Sequence, residues 1–333
     1  MTKQPLQKLF DAMYHGKLSF HDFLQSPVEQ NYEVARGSTP GSRTLFKPKE
    51  NLKTYHRFLN LLLFELLPIN ERVVFSYRKG FNAVNAVQKH TQSKHFFQTD
   101  IKSFFDSIDR SLTQKTILAG EEYCPIEDLH EHIDRIVDLV CVGDSIPVGL
   151  PASAPLSNAV LVNFDNEIER FCTQRDLIYS RYADDIIISG QKHENLLGLE
   201  TLVQEKLHQF CSEKFFIHYG KTRFFQVGGK VKILGMMILP TGKISVDTKK
   251  KNDLEVLIHF YLNNNDRFKD MINKTKKHSE NNKELSESDY IAYLSGNINY
   301  VDSIDPDYTD KLRRKFGSTT IDILKHSSFS KEQ

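Results

Sequence analysis

Residues 178–189 read Ile178-Tyr179-Ser180-Arg181-Tyr182-Ala183-Asp184-Asp185-Ile186-Ile187-Ile188-Ser189, two β-prone runs on either side of adjacent aspartates. Short apolar and aromatic runs joined by so few residues predict a hairpin with two carboxylates at its tip. Like charges held together in a partly dry site repel. A divalent cation is the usual relief. A third acid, Asp100, ends a further β-prone run at residues 95–101 and completes an oxygen-ligand set suited to magnesium. Two such ions, roughly 3.5–4 Å apart, activate an attacking hydroxyl and stabilise a leaving pyrophosphate, so the reaction class is nucleotidyl transfer. Taken alone, Ala183-Asp184-Asp185 is also explained by a solvated turn.

Outward from the hairpin, residues 1–30 read as short helices with aromatic anchors. Gly37-Ser38-Thr39-Pro40-Gly41-Ser42 then separates two β-prone runs, 32–36 and 43–48, which predicts a second hairpin flanked by arginines. Residues 52–67 carry apolar side chains at helical spacing and stop at Pro68. A loop follows around Lys79-Gly80, and a tight turn over 102–108 leaves the Asp100 strand. The pattern is helical over 109–142 with a break near Pro125, turn-rich over 146–155, and helical again over 156–172. An amphipathic helix over 194–212 and strands at 215–219, 224–227 and 231–239 come next. From 247 the chain is helical, basic and polar. A helical and hairpin front, a mixed middle and a helical back give an α+β class.

Composition sits near the globular average. Among 333 residues, 39% are hydrophobic and 26% charged, which disfavours both disorder and a membrane protein. The longest apolar run, 58–67, is too short for a bilayer and is interrupted by Asn60 and Glu65. Met1-Thr2-Lys3-Gln4-Pro5 is not followed by a signal-like apolar segment. Cys124, Cys141, Cys172 and Cys211 are scattered, without zinc spacing, as in a reduced cytoplasmic compartment. A net charge of +1 does not announce a nucleic-acid binder. Any phosphate-binding surface must come from distribution, as in Lys249-Lys250-Lys251, Lys274-Thr275-Lys276-Lys277 and Arg313-Arg314-Lys315, although a solvated face is the commoner explanation of such runs.

With Asp100 in "QTDIKSFFDSID" (98–109) and the pair in "IYSRYADDIIIS", the chain resembles the prokaryotic reverse transcriptases, a group that includes retron, group II intron and defence-associated enzymes. The resemblance runs from about residue 30 to 320. It implies a right-hand polymerase with fingers over 1–95, a palm over 96–245 that includes inserted fingers helices at about 110–145, and a helical thumb with C-terminal tail over 246–333. It implies that Asp100, Asp184, Asp185 and the Ile101 carbonyl hold two Mg2+ ions, with Mn2+ able to substitute, and that Phe105 excludes a ribose 2′-hydroxyl. "VGLPASAPLSN" (148–158) resembles the segment that packs over the nascent base pair, with Gly149 and Pro151 at the nucleotide. Val148 departs from it, because many relatives carry Gln there. Lys221 in "HYGKTRFF" stands where the family has a general acid toward pyrophosphate. Arg43 in "RTLFKP", with Arg36 across the hairpin, stands where an arginine meets the triphosphate. Tyr182 and the Leu234-Gly235 step of "VKILGMMI" fall at primer and template positions. "YLSGNINYVDSIDPDYTDKLRRKFG" (293–317) resembles a thumb that holds the duplex.

The implied partners are dNTPs, a structured non-coding RNA template and a DNA product or RNA–DNA duplex, with an effector protein supplying what so small a chain lacks. The implied role is bacterial anti-phage defence. Two features point away from a true retron: "NAVQKH" (85–90) has one residue more than the N-A-x-x-H element, and Ile233-Leu234-Gly235 replaces V-T-G. Competing functions are an RNA-dependent RNA polymerase, which Ala183 and Phe105 disfavour, and a catalytically inactive RNA-binding module with the same fold, which the presence of all three acids disfavours. A diguanylate cyclase shares the palm topology, but its G-G-D-E-F type signature is missing.

Overall fold

The computed structural model describes residues 2–36, 44–229, 231–276 and 285–327, and packing divides the chain into two units, Met1–Phe224 and Phe225–Gln333. Helix and antiparallel sheet are mixed, the α+β class expected from sequence.

The first unit opens with two short helices, Leu6–Tyr14 and Phe20–Gln25, each anchored by one buried phenylalanine. Phe10 packs at 5.3 Å from Phe23 and 5.2 Å from Phe58, which ties the N-terminal segment to the helix Glu50–Leu62. Edge-to-face contacts of this kind add to the area that each ring buries. Between them, strands β1 (Tyr32–Arg36) and β2 (Thr44–Pro48) form the antiparallel hairpin anticipated from sequence.

Strands β3 (His95–Lys102), β4 (Leu177–Tyr182), β5 (Asp185–Gly190) and β6 (Phe216–Ile217) pair in the order β4-β5-β3-β6. Every side chain of β5 from Ile186 to Gly190 is buried, so its run of three isoleucines has apolar neighbours on both faces. The helices Val162–Gln174 and Leu199–Phe210 pack against β4 and β6 respectively. The outer edge of β4 is covered by a chain segment rather than by water. Phe75 N–H donates to the Arg181 carbonyl at 3.0 Å and Arg181 N–H to the Val73 carbonyl at 2.8 Å, which removes an edge open to pairing.

The helix expected at 52–67 is Glu50–Leu62, the strand expected at 215–219 is Phe216–Ile217, and two further helices start elsewhere than the periodicity predicts. The helix expected at 156 begins at Ser153. Pro155 falls in its first turn, where a missing N–H breaks no helical bond, so proline there starts the helix instead of preventing it. The helix expected at 194 begins at Leu199, because Gly198 sits at φ +78° and a short 3-10 turn, His193–Leu196, precedes it.

The second unit contains a meander of β8 (Val231–Ile233), β9 (Met236–Ile238) and β10 (Ile244–Val246), after the short strand β7 (Arg223–Gln226) at the unit boundary. β10 lies in a stretch whose three residues are too few to show an alternating pattern; all three are buried. Among the described residues five helices follow, from Thr248–Asn263 to Ser318–His326. Asp305 caps the helix Pro306–Phe316 and also accepts from Lys251 at 2.7 Å and Ser245 at 2.8 Å. Lys315 pairs with Glu255 at 2.5 Å. Part of the basic character of the C-terminal region is therefore used internally. Among the described residues no helix is long and apolar enough to cross a membrane.

Candidate active site

Asp100 and Asp185 stand directly opposite each other on the paired strands β3 and β5, and Tyr182 opposes Asp185 across the β4–β5 hairpin. Ala183-Asp184 is thus a two-residue turn. Its first residue has φ +55°, the sign at that position that matches the twist of the flanking strands. Adjacent strands lie about 4.8 Å apart, so the register alone brings the three acids to one end of the sheet. The Asp184 carbonyl accepts from the Ile101 N–H at 3.0 Å, locking the turn to β3.

Burial first, and then the Asp184 and Asp100 carboxylates, push the Asp185 carboxyl up to about 6, against a hydrogen bond from Gln98 that pulls it down. The site is therefore short of positive charge. Asp100 is engaged by a cation: Lys221 Nζ lies 3.0 Å from its Oδ2. Lys221 closes a short turn, Tyr219–Lys221, which is pinned to β3 by the His218 N–H on the Asp100 carbonyl at 2.7 Å and by the Thr99–Thr222 hydroxyl pair at 2.8 Å. With Asp100 so engaged, no three His, Cys, Asp or Glu side chains among the described residues stand at metal-ligating spacing. The donors themselves are carboxylate oxygens, Asp100 and Asp185 on adjoining strands and Asp184 in the turn beside them, the chemistry that hard divalent cations require.

Phe105 follows one turn after β3, half-buried, with its ring 5.4 Å from that of Phe104. The loop before the helix Ser153–Val160 reaches the β1–β2 hairpin: Phe46 N–H donates to the Val148 carbonyl at 2.9 Å. Gly149 has φ +108°, and a Cβ there would stand 2.4 Å from the Phe46 carbonyl oxygen. No side chain fits. Gly149→Ala is expected to destabilise the protein by about 1–3 kcal/mol, from backbone strain and the clash, and thermal denaturation of the purified variant measures it. The half-buried Pro151 gives its carbonyl to Asn60 Nδ2 at 3.1 Å.

Of the other residues singled out from sequence, Ile101 is buried and Tyr182 half-buried beside the acids. Arg43 lies outside the described residues, and Arg36 ends β1 with its side chain also outside them. Leu234 and Gly235, in the second unit, make the turn between β8 and β9, both at positive φ. The Tyr300 hydroxyl lies 3.4 Å from where a Gly235 Cβ would be.

Sequence reading missed a buried polar group directly beneath the turn. Arg181 and Asp165 are both wholly buried and meet through two bonds, Nε to Oδ1 at 2.8 Å and Nη2 to Oδ2 at 2.7 Å. Arginine inside so apolar a β run was itself the signal, because a buried guanidinium requires a partner. Its partner, on the helix Val162–Gln174, is 16 residues away and not visible in any local pattern. His90 was likewise read only as a motif position. It is buried between Ser180 Oγ at 2.7 Å and Ser189 Oγ at 2.6 Å, and burial lowers its pKa to about 3, so it stays neutral. Lys89 and His90 follow the helix Ala83–Gln88 in a turn.

The family described as "Reverse transcriptase (RNA-dependent DNA polymerase)" matches residues 38–238. The retron Ec83 reverse transcriptase of Escherichia coli is 24% identical over 320 residues, covering 93% of this chain and 94% of that protein. The retron Ec73 reverse transcriptase of Escherichia coli is 24% identical, covering 89% of each, and the retron Mx65 reverse transcriptase of Myxococcus xanthus is 24% identical, covering 83% and 61%. These likenesses extend over nearly the whole chain, so the two departures from retron motifs do not set it apart from the retron enzymes. The chain belongs to the reverse transcriptase (RNA-dependent DNA polymerase) family and is of the prokaryotic retron type.

Proposed function

We propose that this RNA-directed DNA polymerase copies a structured non-coding RNA by two-metal nucleotidyl transfer, and that Asp100, Asp184 and Asp185 hold the metals. The observation that carries the site assignment is the cross-strand register of Asp100 with Asp185 beside Asp184, together with the raised proton affinity of Asp185. Divalent ions bound there, Mg2+ by preference, supply charge stabilisation and a more acidic primer hydroxyl. The Ile101 carbonyl is the proposed backbone ligand. Lys221, which pairs with Asp100, would be the proton donor to the departing pyrophosphate. Phe105 faces the sugar, Gly149 and Pro151 lie along the incoming nucleotide, and Arg43, seconded by Arg36, binds its triphosphate. Tyr182, Leu234 and Gly235 contact primer and template. Fingers, palm and thumb are divided as the family resemblance implies, near residues 95 and 245. The biological setting proposed is cytoplasmic anti-phage defence with an effector partner.

Incorporation of labelled dNTPs on an RNA template with a DNA primer tests the activity, and sequencing of the RNA that copurifies tests the template. One dominant structured RNA supports the reading, and a random sample of transcripts contradicts it. Phe105→Ala is expected to narrow the preference for dNTP over rNTP by about 10- to 100-fold, the scale of discrimination that shape gives against one hydroxyl; paired kcat/KM values measure it. Since a metal competes with the Asp185 proton, Mn2+ affinity of the protein should rise with pH between about 5 and 7. Titration by electron paramagnetic resonance at several pH values checks this, and a flat profile removes Asp185 from the ligand set.

A further inference from the structure

The Arg181–Asp165 pair is more than a core contact. Buried ion pairs are weak sources of stability, because the desolvation of both ions offsets their attraction and apolar residues of similar volume serve as well. What an apolar pair cannot do is donate hydrogen bonds. Arg181 Nη1 donates to the Ala183 carbonyl at 3.0 Å, while the Ala183 N–H donates to Ser76 Oγ at 2.8 Å. Both peptide groups flanking Ala183 are thereby held, at a residue whose φ of +55° is unfavourable for alanine.

The holders are themselves anchored. Ser76 Oγ donates to Asn158 Oδ1 at 3.2 Å, and Asn158 Nδ2 returns a bond to the Ser76 carbonyl at 2.8 Å. Asn158 lies on the helix Ser153–Val160, and Asp165, which also accepts from the Tyr179 hydroxyl at 2.7 Å, lies on the next helix. The orientation of the turn is thus referred to two helices rather than left to the hairpin. Asp184 follows directly from the second of these peptide groups, and Asp185 is the next residue along the chain.

We propose that Arg181, braced by Asp165, is a positioning residue that aims the Asp184–Asp185 pair at its metal ions, with Ser76 holding the other side of the turn. This rests on the metal-ligand assignment above. Partners of this outer kind typically change metal affinity or activity by about 10- to 100-fold when removed.

The test replaces the whole buried group, Asp165→Leu with Tyr179→Phe and Arg181→Met, so that no charge is stranded and the fold is kept. The full-length variant is expected to melt near the wild type, to bind Mn2+ about 10-fold or more weakly by electron paramagnetic resonance, and to lose kcat by about 10- to 100-fold with KM for dNTP nearly unchanged. Ser76→Ala removes the acceptor of the Ala183 N–H together with the donor to Asn158 Oδ1, and is expected to weaken Mn2+ binding in the same direction, by about threefold or more. It decides the matter alone if the triple variant does not fold. Arg181→Lys, which keeps a donor beside Asp165, should recover part of the Mn2+ affinity lost in the triple variant. Mn2+ affinity and kcat at wild-type levels in a folded triple variant, or unaltered Mn2+ affinity in Ser76→Ala, would overturn the proposal while Asp184→Asn remains inactive. Wild-type Mn2+ binding and activity in Asp184→Asn would instead overturn the metal-ligand assignment itself.

Discussion

Asp184→Asn and Asp185→Asn are each expected to lower dNTP incorporation by about three orders of magnitude or more, because either change removes an anionic ligand worth several kcal/mol of transition-state stabilisation. Single-turnover extension of a primed RNA measures the loss with binding separated from chemistry. Stability is expected to move the other way. In the metal-free protein the Asp185 carboxyl titrates near 6, above its ordinary 3.8. Between those values the folded chain holds a proton that the unfolded chain has released, so stability rises as pH falls from about 7 toward 4. Asp185→Asn removes the repulsion at every pH. Its melting temperature should therefore exceed that of the wild type at pH 7.5, and the difference should shrink at pH 5. An Asp185→Asn protein that is no more stable at pH 7.5, measured without metal, would show that the three carboxylates do not crowd one another in solution. An Asp184→Asn protein with substantial incorporation would move the catalytic centre elsewhere.

Asp165→Asn is expected to destabilise the first unit by about 3–5 kcal/mol, since it leaves the fully buried Arg181 guanidinium without its counter-charge. The contrast is Arg170 with Glu167, a pair of similar geometry at 2.6 Å whose arginine is 64% exposed. Removing Arg170 should change stability by less than about 1 kcal/mol. Urea denaturation of both variants beside the wild type compares them directly, read at the transition of the first unit. Equal small effects would mean that water reaches Arg181 and that the pair is not the buried element described.

The hairpin at 177–190 and its acids were legible from sequence for a local reason. Strand, two-residue turn and strand need only short-range alternation and a break, and two aspartates at an apolar tip carry their own chemical explanation. Asp100 was legible as a candidate because a carboxylate ends a β-prone run, and Lys221 only through family resemblance. Short elements were less legible: β10 spans three residues, and Pro155 reads as a helix breaker until its place in the first turn is known.

By itself, then, the sequence determined the types of the longer elements, the hairpin that carries Asp184 and Asp185, and the reaction class that three acids allow. Only the tertiary structure decided that Asp100 faces Asp185 across a strand pair, that Lys221 occupies Asp100, that Gly149 is pressed onto Phe46, and that Arg181 finds Asp165 beneath the turn. Local periodicity reports which face of an element is apolar. It carries no record of which distant residue will answer a buried charge, because that choice is made by packing and by the cost of leaving the charge unpaired.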